Sequence, residues 1–227
     1  MLRDYLVKKG QVTARATFAT AQVGPISDNS GLVPRLLQRL GPLGLRLSDM
    51  KMDYGDMTLS EINLRCFLFD FRGTLTVRAE WIEFTCAFPG PSLSNISRTF
   101  EQALAAVREQ WPQISFSFYS VDVGMHGSVA GATPQSIAAE LINTPAPLGP
   151  NAGAGCVIYY GPDGARTVSS LTVDQSGQLQ GGLFIRSQAN WDPSKVNVNE
   201  LESLTTEYVT RCLNAVALGL PSTEEPT

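Results

Sequence analysis

The sequence predicts an α+β protein, in which an antiparallel sheet is packed by two long and two shorter helices. Apolar and polar residues alternate in short runs over much of the chain, and a period of two is typical of strands with one buried face. Residues 92–111 and 199–216 instead repeat apolar side chains every three or four positions, which indicates helices with one apolar side. Prolines and glycines separate the runs, so turns join successive elements.

The clearest pattern lies in the middle of the chain. Residues 74–79 and 82–88 alternate around a two-residue gap and predict a hairpin. A Pro-Gly-Pro sequence ends the second strand, because proline cannot donate a hydrogen bond to the ladder. Ser92 or Ser94 can cap the long helix that follows. The apolar stripe of this helix comprises Leu93, Ile96, Phe100, Leu104, Val107 and Trp111.

The residues before the hairpin predict further strands and one shorter helix. Residues 1–9 show no clear alternation and predict a short helix or a loose arm, whereas residues 11–23 alternate as a strand. A helix is expected over about 30–41, where Pro34 is tolerable only in the first turn. Residues 45–53 alternate again and predict another strand.

The next strand, expected over residues 58–71, is apolar on both faces near its C-terminal end. A strand with one face in water does not show this pattern. Its second face is therefore expected to form a further core layer, to contact a second subunit or another protein, or to line a pocket for an apolar ligand. The candidate contact residues on this face are Arg65, Phe67, Phe69 and Phe71.

Residues 112–221 repeat the same kinds of element. Thr133 can cap a short helix that begins at Pro134, and Asn199 with Glu202 resembles a capping box at the start of the last helix. Residues 143–155 are rich in proline and glycine and predict an irregular loop. Strands are expected at residues 113–123, 156–160, 167–173 and 179–188, and a disordered tail at residues 222–227.

The two halves, residues 1–111 and 112–221, thus share one order: strand, helix, several strands, long helix. This order predicts a pseudo-twofold duplication, with the strands of both halves joined edge to edge in one sheet and the helices on one face. It resembles the half-repeat of the TATA-box-binding protein fold, and also helix-grip folds, in which a curved sheet wraps a long C-terminal helix. Neither resemblance brings a motif, so neither assigns a functional residue.

His126 is the only histidine of the chain and lies in Gly124–Gly131, a glycine-rich run that predicts a loop. Loops often carry catalytic groups, so His126 is a candidate contact or catalytic residue, although a loop histidine can equally be only solvated. No G-x-S-x-G, P-loop or H-E-x-x-H motif is present, and no G-x-G-x-x-G follows a strand. We therefore expect no cofactor, and non-catalytic function is the leading hypothesis.

Cysteines and acidic residues do not predict a metal site. The four cysteines form no C-x-x-C pair and lie in apolar patterns, so buried free thiols are expected at Cys66, Cys86, Cys156 and Cys212. Asp49, Asp53 and Asp56 surround a turn and are expected to be solvated rather than to bind calcium.

The charge of the chain argues against nucleic acid as a ligand. Residues 1–111 carry 13 Lys/Arg and 11 Asp/Glu, a balance of +2, and residues 112–227 carry 4 and 10, a balance of −6, which gives −4 in total. No basic cluster forms a phosphate-binding groove. No apolar run approaches the ~20 residues of a membrane span, and no secretory signal is evident, so a cytoplasmic protein without membrane contact is expected.

Three functional hypotheses follow. The first is a binding or assembly protein that acts through protein–protein contacts, with another protein or a second copy of the chain in a homodimer as its partner. The second is a helix-grip-like pocket between the sheet and residues 199–216 for a small apolar ligand. The third is an enzyme that uses His126.

Overall fold

The computed structural model describes residues 2–22, 29–53, 62–88, 92–142 and 155–221, which form a sheet with helices packed on it. The strands are β1 (Arg3–Phe18), β2 (Met50–Asp53), β3 (Asn63–Leu68), β4 (Gly73–Val77), β5 (Trp81–Phe88), β6 (Phe116–Val129), β7 (Cys156–Tyr160), β8 (Arg166–Gln175), β9 (Leu183–Trp191) and β10 (Leu218–Gly219). The α-helices of this part of the chain are α1 (Asn29–Leu40), α2 (Leu93–Gln110), α3 (Pro134–Ile142) and α4 (Leu201–Ala215). The predicted α+β class with an antiparallel sheet is confirmed.

The strands follow the order β2-β3-β4-β5-β1-β6-β9-β8-β7, and neighbours along this path are antiparallel. β10 adds a short parallel pairing to the start of β1. At the centre, β1 pairs with β6 from Tyr5↔Val129 to Phe18↔Phe116. The strands of residues 1–111 therefore join those of residues 112–221 edge to edge, as the sequence predicted, while the division into duplicated halves stays a prediction.

The described helices all pack on one face of the sheet. Buried side chains of α1–α4 and alternate strand residues form a single core. In β1, Val12, Ala14 and Ala16 face the helices and are buried, whereas Thr13 and Arg15 face the other way and are partly exposed. Burial of apolar surface contributes ~25 cal/mol per Å², so this alternation decides which face takes the helices. We call the opposite face the polar face; on the central strands it carries Thr13, Arg15, Glu83, Thr85, Ser120, Asp122, Arg186 and Gln188.

The long helix α2 begins where the sequence predicted. The Ser92 hydroxyl accepts a hydrogen bond from the Asn95 N–H at 3.3 Å, which satisfies one of the backbone donors that a helix start leaves open. Its apolar stripe, including Ile96, Phe100 and Leu104, is buried against the sheet and α1. The shorter α1 begins at Asn29, so Pro34 lies beyond its first turn, unlike the sequence prediction.

Residues 3–9 form neither a helix nor a loose arm. Residues 3–9 belong to β1, and the Tyr5 ring is fully buried. The Tyr5 hydroxyl lies 2.9 Å from the carbonyl oxygen of Met125 and 3.0 Å from that of Leu183, which ties β1 to β6 and to the start of β9. The prediction failed because residues 1–9 show no period of two in the sequence, whereas the buried ring of Tyr5 anchors this segment in the sheet.

His126 lies inside strand β6, not in a loop. At Gly127 a glycine is needed because another backbone comes close, which is a recognised role of glycine in strands. A Cβ atom on Gly127 would lie 2.5 Å from the carbonyl oxygen of Leu6 and 2.7 Å from the Tyr5 ring. The expected loop over residues 124–131 is therefore wrong up to Val129.

Two element boundaries shift because side chains bond to the backbone and favour a 3-10 turn over an extended chain. Asp49 accepts a hydrogen bond from the Arg46 N–H at 3.0 Å, and residues Leu47–Asp49 form a 3-10 helix, so β2 begins only at Met50. Glu200 accepts from the Asn197 N–H at 2.8 Å, and the last helix is preceded by another 3-10 helix, Val198–Glu200. The sequence placed that capping box two residues too late.

Some expectations cannot be compared with the fold. The first residues of the strand predicted over 58–71, the loop at 143–154, the aspartate at position 56 and the tail at 222–227 lie outside the described residues.

Candidate functional site

A cleft between α2 and α4, which we call the interhelical cleft, opens on the helix side of the sheet. Its larger part has a volume of about 550 Å³, and a narrower part of about 40 Å³ shares five lining residues with it. The larger part is lined by Tyr5, Val7, Lys8, Val12, Phe88, Leu93, Ile96, Val123, Met125, Thr205, Thr206, Val209, Thr210, Leu220 and Pro221.

The interhelical cleft is apolar on its floor and at its rim. Buried Val12, Val123 and Met125 of the central strands form the floor. Leu93 at the start of α2 is 46% exposed, and Leu220 after β10 is 51% exposed. Large apolar side chains left in water beside an apolar cleft are typical of a surface that binds something.

Among the described residues that line the larger part, Lys8 is the only charged one. The pairing of β1 with β6 is irregular between Val7 and Lys9. This irregularity separates two neighbouring lysines: Lys8 lines the interhelical cleft, and Lys9 lines a second cleft on the polar face.

The second cleft, which we call the His126 cleft, has a volume of about 470 Å³. It lies over the central strands, where β5, β1, β6 and β9 run side by side. Its lining residues are Lys9, Gly10, Gln11, Thr13, Ala87, Phe88, Asp122, Gly124, His126, Gln178, Phe184 and Arg186. His126 thus faces a cleft with polar neighbours.

The His126 ring is held in one orientation and one tautomer. It stacks on Phe184 with ring centroids 4.6 Å apart, and its Nδ1 lies 2.9 Å from the Ser176 Oγ. That oxygen already accepts from the N–H groups of Gln178 at 3.1 Å and Leu179 at 2.9 Å. A serine hydroxyl has two lone pairs and one hydrogen, so its hydrogen donates to Nδ1. The neutral imidazole of His126 is therefore unprotonated at Nδ1 and carries its proton on Nε2.

This arrangement does not activate Ser176 as a nucleophile. Both of its lone pairs are engaged by backbone N–H groups, and the residue is only 7% exposed. A serine nucleophile instead needs a lone pair directed at the substrate. The hydrogen bond between Ser176 and His126 instead fixes the orientation of the imidazole, and His126 can serve as a hydrogen-bond donor.

The electrostatics of the His126 cleft favour the neutral imidazole. Burial lowers the pKa of His126, and the nearby positive charge of Lys9 lowers it further. The Arg186 guanidinium is paired with Asp122 and donates from Nε to both carboxylate oxygens at 2.9 Å. No described carboxylate lies within ion-pair distance of Lys9.

Phe67, Phe69 and Phe71 do not share one face. Strand β3 ends at Leu68, and residues 69–71 follow with positive φ angles of 53°, 53° and 65°. Left-handed backbone costs an L-residue roughly 1–2 kcal/mol, and alternation in the sequence cannot reveal it. The predicted strand continuing to Phe71 is therefore wrong.

The three rings consequently point to different surroundings. Phe67 lies on the polar face with its ring centroid 5.4 Å from that of Phe71, which is 75% exposed. Phe69 turns toward the core and meets Phe84 edge to face at 6.3 Å. Arg65, also on the polar face, donates to the Asn63 side chain at 2.9 Å.

The candidate residues therefore fall into two separate places. Arg65, Phe67 and Phe71 lie on the β3–β4 side of the sheet, and His126 lies over its centre. The sequence did not identify the residues that line the interhelical cleft as site residues. Leu93 could have indicated the cleft, because a large apolar side chain at the first position of a helix is often exposed unless it contacts something. Ser176 was not among the predicted site residues, and its bond to His126 joins positions 50 residues apart.

Metal and membrane features are not found in the described ranges. No group of three or more His, Cys, Asp or Glu residues there is placed to hold a metal ion. No helix in that part of the chain is long and apolar enough to cross a membrane. Cys66, Cys86 and Cys212 are buried free thiols, as expected, and Cys156 is a free thiol that is partly exposed.

Comparison with known proteins assigns no family. No protein-family model matches the chain, and no curated protein is detectably similar to it. Function must therefore be inferred from the two clefts and the exposed aromatic turn themselves.

Proposed function

We propose that this chain is a non-catalytic binding protein that holds a small, largely apolar molecule in the interhelical cleft. The observation that carries the proposal is an open cleft of about 550 Å³ that is lined mainly by apolar side chains of the sheet, α2 and α4. Clefts for small ligands commonly have volumes of about 300–1,000 Å³ and mostly apolar walls. The position, between the sheet and the last helix, is the one expected for a helix-grip-like binder.

The polar groups of the interhelical cleft define the ligand further. Among its described lining residues, Lys8 supplies the one positive charge, and Thr205, Thr206 and Thr210 supply hydroxyl groups from α4. No described carboxylate lies within ion-pair distance of Lys8. An apolar molecule that carries one carboxylate at its end matches this distribution, since the chain of the ligand would contact the floor and the carboxylate would approach Lys8.

Calorimetric titration with decanoic acid and decanol tests the proposal, because these probes have ten carbons each and differ only in the head group, an ionised carboxylate or a neutral hydroxyl. We expect saturable binding of both to the wild-type chain. Lys8→Gln should weaken decanoate about two- to fivefold and leave decanol unchanged, because a partly exposed ion pair contributes roughly 0.2–1 kcal/mol. Absence of saturable binding by either probe would overturn the proposal.

A matched pair of variants on α4 locates the binding. Thr206 is exposed and lines both parts of the interhelical cleft, so Thr206→Trp should fill the space and weaken both probes about tenfold or more, a loss of ~1.4 kcal/mol. Asn214 is exposed on the same helix but lines neither part. Asn214→Trp should therefore bind as the wild type does, and circular dichroism should show that both variants are folded.

A second candidate function is protein–protein contact through the β3–β4 turn. The exposed Phe71 and the strained backbone at residues 69–71 favour it, because strain of this kind often persists at functional sites. A cleft of about 370 Å³ beside the turn is also lined by Arg46 and Asp49, which offers polar contacts at its rim. The partner would be another protein or a second copy of the chain.

Light scattering distinguishes self-association from contact with a different protein. If the turn joins two copies, the wild type is dimeric and Phe71→Asp is monomeric. The control Tyr159→Asp changes another exposed aromatic residue, 77% exposed on the edge strand β7, and should leave the mass unchanged. A wild-type chain that is monomeric at all concentrations would exclude the homodimer.

A further inference from the structure

We propose that the His126 cleft is a second binding site, distinct from the interhelical cleft, and that it takes a small molecule bearing an oxyanion. The site combines the ammonium group of Lys9 with the Nε2–H of His126, across a floor that includes Gly124. Lys9 and His126 are direct partners in the pairing of β1 with β6, so both side chains leave the sheet on the same side.

The hydrogen bonds around His126 show that it acts as a donor. Ser176 donates to Nδ1 because its own lone pairs accept from the N–H groups of Gln178 and Leu179. Nδ1 is thereby occupied, and Nε2 carries the ring proton. Stacking on Phe184 fixes the plane in which this proton lies. A donor that is oriented before the ligand arrives loses little entropy on binding.

The charges around the His126 cleft select an anion over a cation. Among the lining residues that the structure describes, Asp122 is the only acidic one, and it is neutralised by Arg186, whose Nε donates to both carboxylate oxygens. Lys9 is left as the uncompensated charge among the described lining residues. The same positive charge that makes protonation of His126 unfavourable would be offset by a bound oxyanion.

The geometry excludes a cation or a purely apolar ligand as the preferred occupant. A cation would meet Lys9 and the Nε2–H without a free carboxylate in the described lining to accept it. An apolar ligand would bury these polar groups unpaired, which is costly. Carboxylates and phosphates both present oxygen acceptors to such donors, and the experiment separates them.

The single histidine makes the test direct, since one ¹³C-labelled His resonance reports this site alone. Inorganic phosphate, acetate and chloride are titrated at matched ionic strength and neutral pH, and the His126 Hε1–Cε1 signal is followed by NMR. Saturable shifts with phosphate or acetate, but not with chloride, are expected, and the tighter of the two identifies the preferred oxyanion. A signal that moves equally with all three salts, or with none, would overturn the proposal.

Two neighbouring lysines supply the matched variants. Lys9→Gln should weaken binding of the oxyanion about two- to fivefold, because a partly exposed ion pair contributes roughly 0.2–1 kcal/mol. Lys8→Gln removes the same charge one residue away, on the side of the interhelical cleft, and should bind as the wild type does. Equal losses in both variants would show a general charge effect and contradict a built site. Because Lys8→Gln is also the test variant for decanoate, the proposals for the two clefts can be supported or refuted independently of each other.

Discussion

The close approach of β1 and β6 makes a sharp prediction for two glycines of the same strand. In Gly127→Ala, the new Cβ would lie 2.5 Å from the Leu6 carbonyl oxygen and 2.7 and 2.9 Å from atoms of the Tyr5 ring. The Tyr5 ring cannot easily move, because its hydroxyl contacts the carbonyl oxygens of Met125 and Leu183. The strands must therefore separate locally.

Overpacking of this kind costs about 1–3 kcal/mol. Replacing glycine by alanine in a strand returns roughly 0.5–1 kcal/mol through backbone entropy. The free energy of unfolding of Gly127→Ala should thus fall by about 0.5–2 kcal/mol, which corresponds to a decrease in Tm of about 2–4 °C per kcal/mol for a chain of this size. Urea denaturation followed by circular dichroism measures the change.

Gly124→Ala is the control within β6. Its Cβ would meet only the Phe184 ring, at 3.4 and 3.7 Å, so the clash is absent while the entropy gain is the same. Gly124→Ala should be as stable as the wild type or slightly more stable. If the two variants shift the urea midpoint by equal amounts, then Gly127 does not face β1 as described, and the central pairing of the sheet is misassigned.

Three further predictions concern the anchors of the fold. Tyr5→Phe should lower the free energy of unfolding by about 0.5–1.5 kcal/mol, measured by urea denaturation; an unchanged midpoint would mean that residues 3–9 do not hold β1 in place. Asp70→Gly should raise that free energy by up to about 1 kcal/mol, because glycine adopts the φ of 53° without strain, and a loss of stability would contradict the left-handed turn. Burial raises the pKa of Cys66 to about 12. Ellman's reagent should therefore modify the partly exposed Cys156 first and should reach Cys66, Cys86 and Cys212 only when the protein unfolds. Rapid reaction of all four thiols in the folded protein would refute the buried placement.

The titration of His126 makes the stability of the fold depend on pH, and the direction of this dependence follows from the pKa shift. Its folded pKa lies below the ordinary value of 6.5, so the folded state disfavours the imidazolium. The stabilising contribution of neutral His126 is fully present above pH 6.5, and it is lost as the pH falls through the pKa that His126 has in the folded state. Lys9→Gln should raise the pKa of His126 measured by NMR, and Lys8→Gln should leave it unchanged; the reverse order would contradict the assignment of Lys9 to the His126 cleft.

Alternation predicted much of the fold because burial acts on every second residue of a strand. It placed the hairpin of β4 and β5, whose buried positions include Leu75, Ile82 and Phe84, and it placed the stripe of α2 in the same way. Alternation failed to predict the fold where a single contact, and not a repeated pattern, determines the local structure. A single buried Tyr5 anchors a segment that lacks a period of two, and Gly127 marks a close approach of two strands rather than a loop.

The candidate sites were less predictable, for reasons that concern distance along the chain. The interhelical cleft brings Lys8, Leu93 and Thr206 together from three elements, and no local pattern encodes the space between them. His126 was identified because it is unique, but its tautomer depends on Ser176, 50 residues away. Phe69 and Phe71 followed the alternation of a strand although their backbone adopts positive φ.

The most direct test of the proposed function is native mass spectrometry of the chain with saturating decanoate. One bound decanoate per chain in the wild type and in Asn214→Trp, with a clearly smaller bound fraction in Thr206→Trp at the same decanoate concentration, is the predicted result. Binding of no decanoate by the wild type, or equal retention by Thr206→Trp, would show that the space between the two long helices does not hold an apolar molecule.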